Sequence, residues 1–132
     1  AFAESVIHEC AWFHHGHYEI PSADLTSRHV VKLHRPAKPT LVLADLTGEP
    51  LKKLGLNNDI SAGDDYTVPT IWAKAIHDAN PKWDGLRYVS RQNNGGFAVA
   101  LFERSGVTKA GSRKLTGKML NNLCDTFRVV AV

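Results

Sequence analysis

The spacing of apolar residues along the chain switches between helix-like and strand-like periods, which predicts elements of both kinds. Four helices are predicted, and they cover residues 2–12, 51–54, 71–79 and 115–123. Gly55 ends the second of these helices, because glycine readily adopts the left-handed conformation just beyond a last helical turn.

Five strands are predicted from runs of β-branched and apolar residues, at residues 28–35, at residues 40–44, around Tyr88, around Leu101 and at residues 127–132. The strand at residues 40–44 is more apolar than the one before it, so we expect it to be more central in the sheet. The strand around Leu101 is almost wholly apolar, and we expect it to be buried.

The polar or glycine-containing residues 14–21, 57–65 and 105–112 are predicted to form turns and loops. Helices do not follow every strand, so we predict an α+β fold with a mixed, partly antiparallel sheet and flanking helices. A chain of 132 residues without an internal repeat is predicted to form one domain, residues 1–132.

Composition narrows the class of protein. Apolar residues make up 43% of the chain, yet no run approaches the roughly 20 apolar residues of a membrane span. The net charge of +3 is mild and the basic residues are scattered, so we predict no direct binding to nucleic acid, although the charge favours a phosphate-bearing ligand. Cys10 and Cys124 lie in apolar helical contexts, which predicts buried thiols in a reducing cytoplasm.

The first residues predict a helix without a capping residue before it. They also lack the basic end and the long apolar run of a signal peptide. We therefore expect the gene product to continue upstream of Ala1.

Residues 84–93 gather polar side chains at the end of a predicted strand. Guanidinium groups, hydroxyls and an amide fall within seven positions, on Arg87, Tyr88, Ser90, Arg91 and Asn93. Polar groups at a strand end commonly form a small-molecule site in proteins that combine helices with a sheet. The alternative is a surface hairpin with incidental charges, and the spacing does not decide between the two.

Several segments together resemble the RES domain family. They are Ala-Phe-Ala-Glu at residues 1–4, Leu-Val-Leu-Ala-Asp-Leu-Thr-Gly at residues 41–48, Asp-Tyr at residues 65–66 before Trp-Ala-Lys-Ala-Ile-His at residues 72–77, Asp-Gly-Leu-Arg-Tyr-Val-Ser at residues 84–90, and Ala-Leu-Phe at residues 100–102. The resemblance covers nearly the whole chain in the expected order. It implies a fold similar to that of ADP-ribosyltransferases and a bacterial toxin that consumes NAD and is paired with a helix-turn-helix antitoxin.

The resemblance also assigns site residues. The family glutamate corresponds to Glu4 and the family serine to Ser90, whereas the family arginine and tyrosine are expected upstream of Ala1. Cleavage of the nicotinamide–ribose bond develops positive charge on the sugar, as in glycoside cleavage. Glu4 would then accept hydrogen bonds from the ribose hydroxyls, and Ser90 would bond the ribose or the nicotinamide carboxamide.

Four further residues are expected to bind the substrate. Arg91 and Arg87 suit the pyrophosphate, because the planar guanidinium binds oxygen atoms in pairs. Tyr88 would form a wall of the site, and His8 would line it beside Glu4. NAD enters as a substrate and no metal is expected, since the leaving group departs as a neutral ring.

Structural roles remain open for the same residues. Glu4 is also the acidic residue favoured in a first helical turn, Ser90 can satisfy a backbone group, and Tyr88 can be a core aromatic residue. Arg87 and Arg91 can be solvated surface charges. The clustered histidines His14, His15 and His17 are interpreted as a solvated turn, because no distant pair of metal ligands accompanies them.

Three functions are consistent with the sequence. The first is an enzyme that cleaves NAD by phosphorolysis or hydrolysis. The second is a mono-ADP-ribosyltransferase that modifies a cellular protein, and the third is a binding module without catalysis. A homodimer is also expected, whereas the sequence leaves the acceptor and the identity of the antitoxin open.

Overall fold

The computed structural model describes residues 2–63 and 65–132. Its elements follow in chain order as a π-helical segment Ala3–Ile7, α1 His8–Cys10, β1 Trp12–His14, β2 His17–Ile20, α2 Ser22–Ser27, β3 His29–His34, β4 Leu43–Leu46, α3 Gly48–Lys53, α4 Asp59–Ala62, α5 Thr67–Ala79, β5 Gly85–Val89, β6 Phe97–Leu101, a 3₁₀ turn Glu103–Ser105, β7 Thr108–Lys114, α6 Gly117–Phe127 and β8 Val129–Ala131. Two residues lie outside the described ones: Ala1, where the predicted domain begins, and Asp64, which falls in the predicted loop at residues 57–65.

The chain divides into two compact units, a terminal unit of Ala1–Leu33 with Lys109–Val132 and a central unit of His34–Thr108. In the terminal unit β2 lies between β1, to which it is antiparallel, and β8, to which it is parallel. A two-stranded sheet pairs β3 with β7. Ile20 is fully buried at the end of β2, in a cluster with Val6 and Ile7 from the π-helical segment.

The central unit contains the three-stranded sheet β4-β5-β6. β5 is the middle strand, parallel to β4 and antiparallel to β6. Leu86 of β5 is buried with Ile76 of α5 and Leu51 of α3, so these two helices cover one face of the sheet. Ser90 directly follows the last residue of β5.

Asp84 anchors the start of β5. Its carboxylate accepts two hydrogen bonds from the Arg35 guanidinium, at 2.6 Å and 3.0 Å, and one from the Val42 backbone N–H at 2.8 Å. The Val42 hydrogen bond, followed by the Arg35 guanidinium, holds the pKa of the Asp84 carboxyl below its usual value against the opposing effect of burial. Asp84 also donates its backbone N–H to Val42 and accepts one from Phe102, so it connects β5 to the segments on both sides.

The predicted α+β class with mixed, partly antiparallel sheets is confirmed. The strands at residues 28–35, around Tyr88, around Leu101 and at residues 127–132 are present, with boundaries shifted by a few residues. The helices differ from the prediction at several places. Helix α2 was not predicted, and α4 lies within the predicted loop 57–65. Helices α3 and α5 begin early, at Gly48 and Thr67, and α6 ends late, at Phe127.

Other predictions were wrong. Residues 14–21 and 105–112 contain strands β2 and β7 instead of only turns, and the strand predicted at residues 40–44 begins at Leu43 and lies at an edge of its sheet. β6 is also an edge strand, and its Phe97 side chain is 56% exposed where burial was expected. An apolar run shows strand propensity but does not show whether a second layer covers the strand.

Candidate functional site

Ser90 follows the last residue of β5 and is buried, with 5% of its surface exposed. Its backbone N–H donates to the Gly96 carbonyl at 3.0 Å, and its hydroxyl oxygen accepts the Asn93 N–H at 3.0 Å. Gly96 N–H donates in turn to the Asn93 carbonyl at 2.8 Å. Ser90 therefore closes the loop between β5 and β6, which is the structural role that the sequence left open for it.

Arg87 lies in the middle of β5 and is half-buried. Its guanidinium carbon lies 3.9 Å from the centre of the Phe97 ring, and its Nη1 lies 3.8 Å from Asp45 Oδ2 on the neighbouring strand. A stacked guanidinium keeps its edge, which carries the N–H donors, open to further partners. Arg87 is thus a positioned cation on the surface of the sheet.

Tyr88 is the second-last residue of β5, and Arg91 is the second residue after the strand ends. Tyr88 is half-buried and packs against the apolar cluster of the central unit, so it is in part a core aromatic residue. Arg91 is half-buried in the loop, where its Nη1 lies 3.5 Å from the Gly63 carbonyl oxygen. Tyr88, Ser90 and Arg91 thus lie within four consecutive positions at the end of β5.

Glu4 and His8 belong to the terminal unit, whereas Arg87, Tyr88, Ser90 and Arg91 belong to the central unit. Glu4 is half-buried in the first turn of the π-helical segment, next to buried Ala3. The His8 backbone N–H donates to the Ala3 carbonyl, five residues back, and the His8 side chain is exposed. Single π-helical turns are rare and occur frequently at functional sites.

A cavity that the sequence did not predict lies beside the end of β5. Its volume is about 850 Å³, and Val89, the last residue of β5, forms part of its wall. Its polar lining consists of Glu49, Lys52, Lys53, Asn57, Asn58 and Asp59, and we call it the α3 cavity. In the sequence, the cavity could have been indicated by the paired lysines of α3 and by the consecutive asparagines after Leu56. Neither pattern is specific for a binding site.

The β1–β2 hairpin collects imidazole groups around one carboxylate. Glu19 Oε1 lies 3.0 Å from His14 Nδ1 and 3.1 Å from His17 Nε2, and Glu19 Oε2 accepts the Trp12 indole N–H at 2.9 Å. The hydrogen bonds from His14 and then Trp12 hold the pKa of the Glu19 carboxyl below its usual value. Within residues 2–63 and 65–132, no group of three or more His, Cys, Asp or Glu side chains is arranged to hold a metal ion.

No helix in the described part of the chain is long and apolar enough to span a bilayer. Cys10 and Cys124 are free thiols, each partly exposed rather than fully buried as expected. Burial, and secondarily the neighbouring Asp125 charge, raises the pKa of the Cys124 thiol.

Comparison with known proteins identifies the family. The family model described as the RES domain matches residues 1–115, which include Glu4 and the whole of β5 with Ser90 and Arg91. Searches of curated proteins and of solved structures gave no match. RES domains are associated with toxin–antitoxin systems and with NAD as the molecule on which they act. The chain belongs to the RES domain family.

Proposed function

We propose that this protein is the toxin of a toxin–antitoxin pair and that it consumes NAD by cleaving the bond between nicotinamide and ribose. The observation that carries the proposal is the RES match over residues 1–115, which covers both residues that correspond to the family glutamate and serine, Glu4 and Ser90. The polar end of β5 supports it, because buried Ser90 lies directly beside Arg91 there.

The proposed reaction replaces one bond to the anomeric carbon of the ribose by another. The carbon–nitrogen bond breaks, and nicotinamide leaves as a neutral ring with the bonding electron pair. An oxygen atom of water or of inorganic phosphate forms the new bond, and in hydrolysis the water proton is released to solvent. The products are nicotinamide and either ADP-ribose or its phosphate ester.

Glu4 is proposed to act at the ribose. A carboxylate that accepts hydrogen bonds from the sugar hydroxyls stabilises the positive charge that develops as the bond breaks. It also fixes the orientation of the sugar toward the incoming oxygen. The half-buried position of Glu4 supports this role, since partial removal from water strengthens an electrostatic contact.

Ser90 is proposed to bond the ribose or the nicotinamide carboxamide, with Tyr88 as a wall of the site and His8 beside Glu4. The hydroxyl oxygen of Ser90 accepts the Asn93 N–H at 3.0 Å, which fixes its position at the end of β5. Arg91 and Arg87 are proposed to bind the pyrophosphate through guanidinium N–H groups. The stack of Arg87 on Phe97 supports its role, because it holds the cation in one place through the face of the guanidinium.

The alternative activity is that of an ADP-ribosyltransferase. Its first step is the same cleavage of the nicotinamide–ribose bond, but a protein side chain replaces water or phosphate as the acceptor.

A helix-turn-helix antitoxin is the proposed partner. The proposed compartment is the cytoplasm, which contains NAD and keeps thiols reduced. A homodimer is also proposed. Light scattering coupled to gel filtration would contradict the dimer if only the monomer mass eluted.

Release of nicotinamide by the Glu4→Gln variant tests the catalytic assignment. We expect a loss of at least about 100-fold relative to the unchanged protein, in the range found when one transition-state contact is removed. Glu9→Gln is the matched control, because Glu9 is an exposed carboxylate of the same helical stretch. Full activity of Glu4→Gln, in a variant with an unchanged thermal unfolding midpoint, would show that Glu4 has no role in catalysis.

A further inference from the structure

The α3 cavity lies at an edge of the sheet where ligands commonly bind. β4 and β5 are parallel, so their carboxyl ends meet at the same edge. Gly48 and Glu49 follow β4 after one intervening residue and Val89 ends β5, and all three line the cavity. In sheets with parallel strands, ligands bind in the crevice outside the carboxyl ends.

The size and the lining of the cavity fit a nucleotide. About 850 Å³ lies within the usual range of ligand cavities, roughly 300–1,000 Å³. A second cavity of the central unit, of about 480 Å³, is lined mostly by apolar side chains, among them Trp72 and Trp83, and it shares Lys53 with the α3 cavity. Both Lys52 and Lys53 line the α3 cavity, whereas Lys53 is the one lysine among the described residues that line the second.

The polar groups of the cavity divide into cations and acceptors. Lys52 and Lys53 are exposed at the end of α3, so their ammonium groups are available to anionic oxygen atoms. Asn57 is engaged with Asp59, because its Nδ2 donates to Asp59 Oδ2 at 2.8 Å and its Oδ1 accepts the Asp59 N–H at 3.1 Å. Asn58 does not cap α4 with its side chain.

The mixture of charges favours a nucleotide over a simple anion. Glu49 and Asp59 would weaken the binding of a bare phosphate, since they place negative charge beside the two lysines. A nucleotide has hydroxyl donors next to its phosphates, and carboxylates bind ribose hydroxyls in dinucleotide sites. A nucleotide can therefore bind both the lysines, through its phosphates, and the carboxylates, through its ribose hydroxyls.

We propose that the α3 cavity binds the adenosine diphosphate half of NAD. Lys52 and Lys53 would contact the phosphates in addition to the proposed contacts of Arg87 and Arg91, and Glu49 or Asp59 would bind the ribose hydroxyls. This inference rests on the proposed function, and it gives that function a binding site for the part of the substrate that does not react. Val89 joins this site to Ser90, because adjacent residues are only about 3.8 Å apart along the chain.

Calorimetric titration of the full chain with ADP tests the inference without any cleavage step. We expect the double variant Lys52→Gln, Lys53→Gln to bind ADP at least about tenfold more weakly, since it loses two charge-assisted contacts. Lys82→Gln is the matched control, because Lys82 is an exposed lysine of the same unit outside the cavity lining. Equal ADP affinity in all three proteins, or no ADP binding to the unchanged protein, would overturn the inference.

Steady-state kinetics with NAD then separates this inference from the proposed function. The double variant should raise KM for NAD about tenfold and leave kcat within a factor of about two, because its contacts are to the non-reacting half of the substrate. If ADP binding depends on the lysines but NAD is not turned over, the ADP site in the α3 cavity is supported and the proposed NAD cleavage is contradicted. If NAD is turned over with an unchanged KM in the double variant, NAD cleavage is supported and the ADP site is contradicted.

Discussion

Gly85, the first residue of β5, has no room for a side chain. A Cβ atom built at this position would lie 2.2 Å from the Ala100 carbonyl oxygen and 3.0 Å from the Leu101 Cα atom of β6. Both contacts are to backbone, so no side-chain rotation can relieve them. We predict that Gly85→Ala forces β6 away from β5 and destabilises the central unit.

The size of the effect follows from the distances. Ordinary carbon–oxygen contacts are about 3.3 Å or longer, so the strands must separate locally by about 1 Å. Such a shift would break the neighbouring backbone hydrogen bonds, among them the 2.8 Å bond from Phe102 N–H to the Asp84 carbonyl. Loss of two or three such bonds, at about 1 kcal/mol each, lowers the free energy of unfolding by about 2–3 kcal/mol.

Urea denaturation followed by tryptophan fluorescence measures this change. Gly111→Ala is the matched control, because a Cβ atom at Gly111 meets no atom within 4 Å and the residue also lies in a strand. Its unfolding free energy should change by less than about 0.5 kcal/mol. Equal stability of the two variants would refute the steric reasoning and the β5–β6 register on which it depends.

Two further predictions concern the carboxylate that anchors β5 and the core of the terminal unit. The pKa of the Asp84 carboxyl is lowered by the Val42 and Arg35 hydrogen bonds, so its stabilisation is present at neutral pH and is lost as the pH falls below its ordinary pKa of 3.8 through the lowered value. The urea midpoint should therefore fall less steeply between pH 5 and about pH 3 in Asp84→Asn than in the unchanged protein, and equal slopes would contradict this role. Ile20→Ala should cost about 2–5 kcal/mol because Ile20 is 0% exposed, whereas Ile71→Ala, at a position that is 63% exposed, should cost under about 0.5 kcal/mol. Similar urea midpoints for these two variants would show that Ile20 is not a core residue.

The sequence predicts β5 well because the residues that indicate the strand lie within it or next to it in the chain. An Asp-Gly pair precedes an apolar stretch, and the polar residues after Val89 mark the end of the strand. The prediction did not use the glycine at position 16, which is a local sequence signal for a hairpin turn between β1 and β2. In the structure, His15 and Gly16 both have positive φ, at 46° and 88°, as a two-residue hairpin turn between strands requires.

The other differences depend on residues that are distant in the sequence. β7 is formed mostly by polar residues and glycine, and it is a strand because it pairs with β3 about eighty residues earlier. Phe97 is exposed at an edge strand, where Arg87 covers its ring. The α3 cavity combines α3, residues 57–59 at the start of α4 and the end of β5, so no single segment of the sequence could indicate it.

Mass-spectrometric analysis of products tests the central claim most directly, with the full protein incubated with NAD and inorganic phosphate. The proposed activity predicts nicotinamide in many-fold excess over protein, together with ADP-ribose or its phosphate ester. Nicotinamide equimolar with a modified protein would support transfer to a protein instead. NAD that remains unchanged would contradict the proposed activity.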